Sequence, residues 1–416
     1  MNSVKEIHVY WAEREDTPIG ILRHELVRGR GIFSFSGGKA WLEHRILSLL
    51  DPDLGQFEGP QYLRDRKRNF GLFLDSSPDR WGRMLIKRRE AVLARKEKRR
   101  PRDLDETDFL LGVFDGSRMG ALRFKLDDAG PFLDDNRDLA TPPWTAIRDL
   151  EYASMALERE ENSGGPEEDR WINMLVRPGS SLGGARPKAN VTDAEGSLWI
   201  AKFPRGGDEK DSGAWEKILH ELAESCGITV SESRAEQFSG TGHTFLSKRF
   251  DRKAGGARIH FASAMTLLGA DDGAGFTEGI SYLDLAEFII RRGVKVEANL
   301  EELWRRMAFN IAVSNCDDHL RNHGFILREG GWTLSPAYDL NPDESGIGLA
   351  LNISENDNSL DFDLAMEVSP YFRIPPSKAV SILDTIKKTV RCWRSAADKY
   401  RIPRAEQARV EAAFRV

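Results

Sequence analysis

Asp317 and Asn322 stand five positions apart in Asn315-Cys316-Asp317-Asp318-His319-Leu320-Arg321-Asn322, and Asp339 follows in Ala337-Tyr338-Asp339-Leu340. A loop carboxylate can take the proton of a hydroxyl nucleophile. An amide oxygen five residues later can ligate a magnesium ion, and a further carboxylate can hold the ion that bridges nucleotide phosphates. The chemistry this triplet would carry is phosphoryl transfer from a metal-bound triphosphate to a hydroxyl. The spacing has a physical purpose. Base and amide share one short loop, which keeps the nucleophile near the metal, and Asp339 closes the metal site from the next strand end. Asp318 is the rival for the base. Taken alone, the Asp317/Asn322 pair reads more simply as a turn and a helix cap, because both residue types are common in loops.

Three features precede the triplet. Gly179-Ser180-Ser181-Leu182-Gly183-Gly184-Ala185-Arg186-Pro187-Lys188 is rich in small residues. These let the backbone approach phosphates, and successive N–H groups can form an anion nest. No Gly-Lys-Ser/Thr follows, so it is not a Walker loop, and a turn between strands explains it equally well. Lys202 is the lone cation of the apolar strand Leu198-Trp199-Ile200-Ala201-Lys202-Phe203-Pro204. A lysine one strand after a Gly-rich turn is placed to hold α- and β-phosphates; a surface lysine on an edge strand is the plainer reading. A helix over 214–225 could supply the acid that orients Lys202, Glu216 first and Glu221 second. Thr244-Phe245-Leu246-Ser247-Lys248-Arg249-Phe250-Asp251 reads as a strand running into a linker, where a protein kinase would hold adenine through its backbone. Gly-rich turn, strand lysine, helix acid, hinge, Asp-x4-Asn and Asp occur in the order used by protein kinases. His319 either steadies its loop by a hydrogen bond or meets bound nucleotide.

The elements that must position these residues are legible in outline. Strands are predicted at 7–11, 19–22 and 31–36, and helices at 40–50 and 79–99, the second opened by a hydroxyl cap in Asp75-Ser76-Ser77-Pro78-Asp79. Residues 109–113 and 122–124 are expected to return to the sheet, and a further strand is expected from Met174. Leu303, Met307, Asn310, Ile311 and Ser314 follow helical spacing on the element that delivers the Asp317 loop. Val380, Leu383, Ile386, Val390, Trp393 and Ala397 form a core stripe near the C-terminus. The run from Arg83 to Arg102 carries ten Lys and Arg against Glu90 and Glu97. It reads as a solvated face, or more sharply as a contact for nucleic acid or an acidic partner, with too few aromatics to stack single-stranded bases.

With 416 residues and a hydrophobic fraction of 40%, the chain can build two or more cores. A net charge of −6 excludes a basic nucleic-acid coat. Cys226, Cys316 and Cys392 have no metal-ligand spacing and suit reduced thiols in a cytoplasmic protein. The N-terminal residues lack a signal core, and no apolar run suggests a membrane span.

These residues resemble the HipA family of bacterial serine/threonine kinases, the toxins of toxin–antitoxin pairs. The resemblance rests on Ser76-Ser77-Pro78-Asp79-Arg80-Trp81-Gly82-Arg83, on 181–188, on 200–204, on 248–252, on Asp317-Asp318-His319-Leu320-Arg321-Asn322 and on Tyr338-Asp339. It implies an α+β, bilobal protein-kinase-like fold with a mainly helical C-terminal lobe. The expected divisions are an N-terminal α+β subdomain at 1–125, a linker and connecting helix at 126–170, a nucleotide-binding N-lobe at 171–252 and a catalytic C-lobe at 253–416. ATP and Mg2+ are the implied cofactors. Asp317 would be the base, Asn322 and Asp339 the metal ligands, and Lys202 the phosphate ligand. Gly183, Gly184, Ala185, Arg186, Pro187 and Lys188 would line the nucleotide. Lys248, Arg249 and Phe250 would hold adenine through their backbone, and His319 and Tyr338 would lie in the nucleotide site. Ser181 matches the family's autophosphorylated serine, with Ser180 as rival. The implied partners are a helix-turn-helix antitoxin like HipB, operator DNA reached mainly through it, and a protein substrate such as an aminoacyl-tRNA synthetase, whose modification halts translation and induces persistence.

The sequence also departs from its relatives. Cys316 stands where ordinary protein kinases carry an arginine before the catalytic Asp, Leu340-Asn341 replaces Phe-Gly after Asp339, and Arg186-Pro187 replaces polar residues. Two other readings stay open: a small-molecule kinase of the aminoglycoside or choline type, and a degenerate kinase acting as a DNA-bound co-repressor.

Overall fold

Residues 4–28, 30–63, 67–133, 141–159, 166–176 and 184–416 are described by the computed structural model. The predicted N-terminal strands form β1 (Val4–Trp11), β2 (Gly20–Val27) and β3 (Arg30–Gly37), joined by β4 (Pro60–Tyr62) and β5 (Leu122–Lys125). The sheet is antiparallel, in the order β4-β3-β2-β1-β5. Its register sets Ile7 opposite Leu22 and Leu22 opposite Phe35, so all three bury on one face. The Phe35 ring lies 5.0 Å from Trp41 and 5.8 Å from Phe73. Full burial of a large apolar side chain stabilises by roughly 1.5–3 kcal/mol. Gly20 is needed here, because a Cβ would stand 2.3 Å from the Phe35 ring.

Helices then cover the sheet, and three sequence expectations are corrected. The predicted helix at 40–50 is α1 (Lys39–Glu43) followed by a 3-10 turn (Arg45–Leu49). The break occurs where the Gln56 amide takes the carbonyls of Trp41 and His44, which a continuing helix would have used. After α2 (Gly71–Leu74), α3 (Arg80–Lys96) is capped by the Asp79 carboxylate, which accepts from Gly82 N at 2.8 Å. No serine serves as cap: the Ser77 hydroxyl donates back to Phe73 O. Most of 109–113 is helical rather than extended, within α4 (Glu106–Leu111), because Asp105 and Asp108 form a reciprocal capping box.

Half of the basic run is paired with carboxylates within its own part of the chain. Arg83 makes a bidentate pair with Glu106, Arg95 meets Glu168, Lys96 meets Asp169, and Arg99 and Arg102 share Glu90. The pairs reduce its net charge, while Lys87, Arg95, Lys96, Lys98, Arg100 and Arg102 are exposed, as on a solvated face.

The chain continues through α5 (Ile147–Glu158), α6 (Pro166–Val176), β6 (Lys188–Thr192) and β7 (Leu198–Lys202). Met174, expected to open a strand, lies in α6, where Trp171, Ile172, Leu175 and Val176 bury at helical spacing. One packing unit comprises residues 1–206 and 251–262. The second segment is tied in by side chains: Asp251 accepts from Gly120 N at 2.9 Å, Arg252 donates to Arg118 O, Arg258 pairs with Asp115 at 2.8 Å, and the His260 ring lies 5.0 Å from Trp11.

The other unit comprises residues 207–250 and 263–416. It holds α7 (Ser212–Ser225), β8 (Ser233–Glu236) and β9 (Thr244–Lys248), with β10 (Phe261–Ser263) at the crossing back. Then follow α8 (Ala264–Leu267), α9 (Tyr282–Arg292), α10 (Val296–Val313), the hairpin β11 (Gly324–Arg328) and β12 (Gly331–Leu334), α11 (Phe362–Val368), α12 (Pro376–Val390), α13 (Trp393–Lys399) and α14 (Arg404–Val410). Leu300, Leu303, Trp304, Met307 and Ile311 bury α10 in the centre. Trp393 and Phe414 stack at 4.4 Å, with Trp215 at 6.0 Å from each. The predicted stripe is buried at Leu383, Ile386, Val390, Trp393 and Ala397, but Val380 is 49% exposed, and Ala379 and Ile382 bury beside it. Among the described residues, no helix is long and apolar enough to cross a membrane.

Candidate active site

α10 ends on Ser314, which is buried and adopts left-handed backbone geometry with φ 48°. That conformation is costly for a residue with a Cβ, and it turns the chain sharply into 315–319. A 3-10 turn (Leu320–Asn322) completes the loop, and the Asn322 N–H donates to His319 O. The Asn322 amide Nδ2 donates to Asp317 O at 2.7 Å. Its Oδ1 is shielded from solvent and has no hydrogen-bond partner. The Asp317 side chain is 78% exposed, with His319 Nε2 3.7 Å from its Oδ1. Asp317 is therefore presented outward on a loop whose other end is fixed.

Asp318 points the opposite way. It is buried, accepts from Tyr282 OH at 2.5 Å and from Ala350 N at 2.6 Å, and its carbonyl accepts from His323 Nε2 at 3.0 Å. Burial pushes its carboxyl up to about 7 and holds the equally buried His323 down to about 3. Enclosed in this way, Asp318 lacks the exposure of Asp317, for which it was the rival base. Behind it, Asn310 Nδ2 donates to Tyr282 OH, Asn315 Nδ2 donates to Asn310 Oδ1, and Asn341 N donates to Asn315 Oδ1. The sequence reading missed Tyr282 and Asn315 in this role. It counted Asn310 only as part of a helical stripe, although a polar residue in an apolar stripe was the available signal.

The segment bearing Asp339 comes off β12. Arg306 holds Ser335 O at 2.7 Å, and Ala337 pairs with Val230. Tyr338 OH donates to Arg321 O at 2.6 Å, which brings this segment to the turn containing Asn322. Asp339 itself has φ 59°, a left-handed geometry that a short polar side chain tolerates better than most. The Phe250 ring stacks on Tyr338 at 5.9 Å and 30°, so two residues expected beside the nucleotide do meet.

In the other unit, Gly184 has φ 102° and begins the described part of the Gly-rich turn. Ser180, Ser181 and Gly183 lie outside the described residues. The Ala185 carbonyl accepts from Arg205, and Arg186 Nε donates to Phe203 O at 3.0 Å. Pro187 O accepts from Phe203 N. Lys188 is buried and paired with Asp79 at 2.9 Å, and β6–β7 pairing sets it opposite half-buried Lys202. Of the two acids on α7, Glu221 is engaged by Lys399 and Tyr400, while Glu216 is buried.

No group of three His, Cys, Asp or Glu fit to hold a metal occurs among the described residues. Magnesium does not need one, since it keeps waters and phosphate oxygens and takes one or two protein ligands. The unpartnered Asn322 Oδ1 beside a carboxylate-bearing segment fits that pattern. Asn322 and Asp339 would hold the ion.

Comparison with known proteins bears on the fold and the family. Y4dM of Sinorhizobium fredii, which carries kinase in its name, is 25% identical over 302 residues, covering 63% of this chain and 71% of its own. HipA of the Shewanella oneidensis MR-1 toxin–antitoxin system, solved with HipB and operator DNA, superposes with a TM-score of 0.67 at 18% identity, covering 98% of this chain and 95% of its own. That likeness shows the fold, the kinase-like α+β architecture expected from the sequence. Residues 180–393, a little over half of the chain, match the family described as HipA-like C-terminal domain, and the chain belongs to the HipA family.

Proposed function

We propose that this protein is an ATP- and magnesium-dependent serine/threonine protein kinase, the toxin of a toxin–antitoxin pair. The observation that carries the reading is the split use of Asn322: one end of its amide fixes the Asp317 backbone while the other offers an oxygen with no partner. Asp317 would accept the proton of a substrate serine or threonine hydroxyl. Its exposure admits a protein chain, and its loop is held by Asn322 and by the Asp318–Tyr282 bond. Magnesium, when bound, would neutralise charge on the phosphates. Lys202 and the turn at 183–188 would hold the phosphates, and 248–250 the adenine. The partner would be a HipB-like antitoxin bound to operator DNA, by analogy with the Shewanella complex. A translation protein such as an aminoacyl-tRNA synthetase is the proposed substrate, and Ser181 the site of autophosphorylation.

Incubating the purified protein with ATP and magnesium, followed by peptide mass spectrometry, tests this. Phosphate on Ser181 is expected in the wild type, with Asp317→Asn slower by ~10²–10⁴-fold while ATP affinity stays. No phosphoserine or phosphothreonine on this chain or on a co-purified translation protein would overturn the reading.

A further inference from the structure

Cys316 occupies the place where ordinary protein kinases carry the arginine that holds a phosphorylated loop. The structure supplies two cations from elsewhere. Segment 341–348, which follows Asp339, is docked at both ends. Lys210 Nζ donates to Pro342 O at 2.8 Å and pairs with Glu344 at 2.7 Å. Arg415 Nη2 donates to Gly346 O at 3.1 Å, while its Nε donates to Ser314 Oγ at 2.9 Å. Its backbone N–H donates to Ala312 O, which seats Arg415 on the end of α10.

These bonds converge on the strained position that opens the catalytic loop. Ser314 holds left-handed geometry, and such strain persists only where the surroundings over-determine it. Its hydroxyl is held by Arg415, and its carbonyl accepts from Asp343 N at 3.0 Å. Gly346 packs so closely on Cys316 that a Cβ would stand 2.3 Å from the sulfur. The segment, the loop entrance and Arg415 thus form one bonded cluster. No phosphate is required to complete it, because Glu344 already supplies the anion and Gly346 O the acceptor.

We propose that Arg415 and Lys210 are positioning residues that latch segment 341–348 onto the catalytic loop, so that the Asp317 loop is set without phosphorylation of that segment. The latch itself is independent of the reaction; its effect on turnover rests on the kinase reading above.

The test uses the full chain with Arg415→Ala, Arg415→Lys and Lys210→Ala. Amide hydrogen exchange reads the latch directly. Exchange at Asn341 and Asp343 should quicken by about tenfold in Arg415→Ala, as expected for losing charge-assisted hydrogen bonds, with α12 unchanged. In autophosphorylation with labelled ATP, kcat should fall by a similar factor, with KM for ATP within about twofold, since the variant disturbs the base rather than nucleotide binding. Arg415→Lys, able to restore one of two side-chain bonds, should fall between. Unchanged exchange across 341–348, or exchange quickened equally throughout the unit, would overturn the proposal. Exchange is measured without turnover, so a parent protein that transfers no phosphate would defeat the kinase reading and leave the latch to be judged by exchange alone.

Discussion

Adjacent aspartates with opposite fates show how far residue identity alone can be read. Asp317 and Asp318 are chemically equivalent in sequence, and the Asp-x4-Asn spacing selects Asp317 only by counting. Burial decides the matter: Asp317 faces solvent, and Asp318 is enclosed with Tyr282, which lies 36 positions away. No local pattern announces such a partner, whereas the spacing of Asp317, Asn322 and Asp339 can be read directly along the chain. A pH dependence follows from Asp318. Its folded value of about 7 lies above its ordinary 3.8, so the fold favours the protonated carboxyl. The stability it contributes is full below that ordinary value and is lost as pH rises through about 7. Wild type should therefore lose stability against Asp318→Asn across that window, by up to ~1.4 kcal/mol per pH unit. Urea denaturation of both proteins between about pH 4.5 and 8 checks this. The neutral buried His323 has the opposite dependence but is common to both proteins, so it cancels in the difference. Parallel stability curves throughout would refute the role given to Asp318.

Helix ends account for most of what the sequence misplaced. The apolar run at 109–113 looks like a strand until the Asp105/Asp108 box is recognised, and the serines before α3 look like caps until Asp79 is seen to serve. Capping is a choice among neighbouring polar residues, settled by which one has the right backbone geometry. The pairing within the basic run was not legible for a related reason: its carboxylate partners Glu106, Glu168 and Asp169 arrive from other helices. Periodicity over long elements fared better, as α7 and α10 appear where spacing placed them. Asp79 joins two elements, since it caps α3 and pairs with the buried Lys188 of β6. Asp79→Ala should cost ~3–5 kcal/mol, the range for stranding one partner of a buried pair, rather than the ~1 kcal/mol of an ordinary cap. Adding Lys188→Met should recover part of that loss. Chemical denaturation of the single and double variants measures both, and a loss of only a cap's worth would mean that Lys188 tolerates solitude.

At the scale of the whole molecule, the chain visits its packing units alternately: 1–206, then 207–250, then 251–262 back in the first, then 263–416. Asp251 is the fully buried anchor of the returning segment, accepting from Gly120 N and pairing with Arg252 at 2.5 Å. Asp251→Ala should lower stability by ~3–5 kcal/mol and loosen exchange around Gly120 and Ala121 before it affects α10. Exchange that loosens first in α10 would contradict this placement. The alternation also bears on synthesis. Chains emerge from the ribosome at roughly 5–20 residues per second, and domains ordinarily fold in the order they appear. Here the first unit cannot close until residue 262 has been made, by which time the second is already begun. The second in turn waits for Phe414 to stack on Trp393 and for Arg415 to reach Ser314. A nascent chain would therefore acquire its full loop geometry only when residue 415 has left the ribosome, and a product interrupted before it would lack the bonds from Arg415 to Ser314 and Gly346.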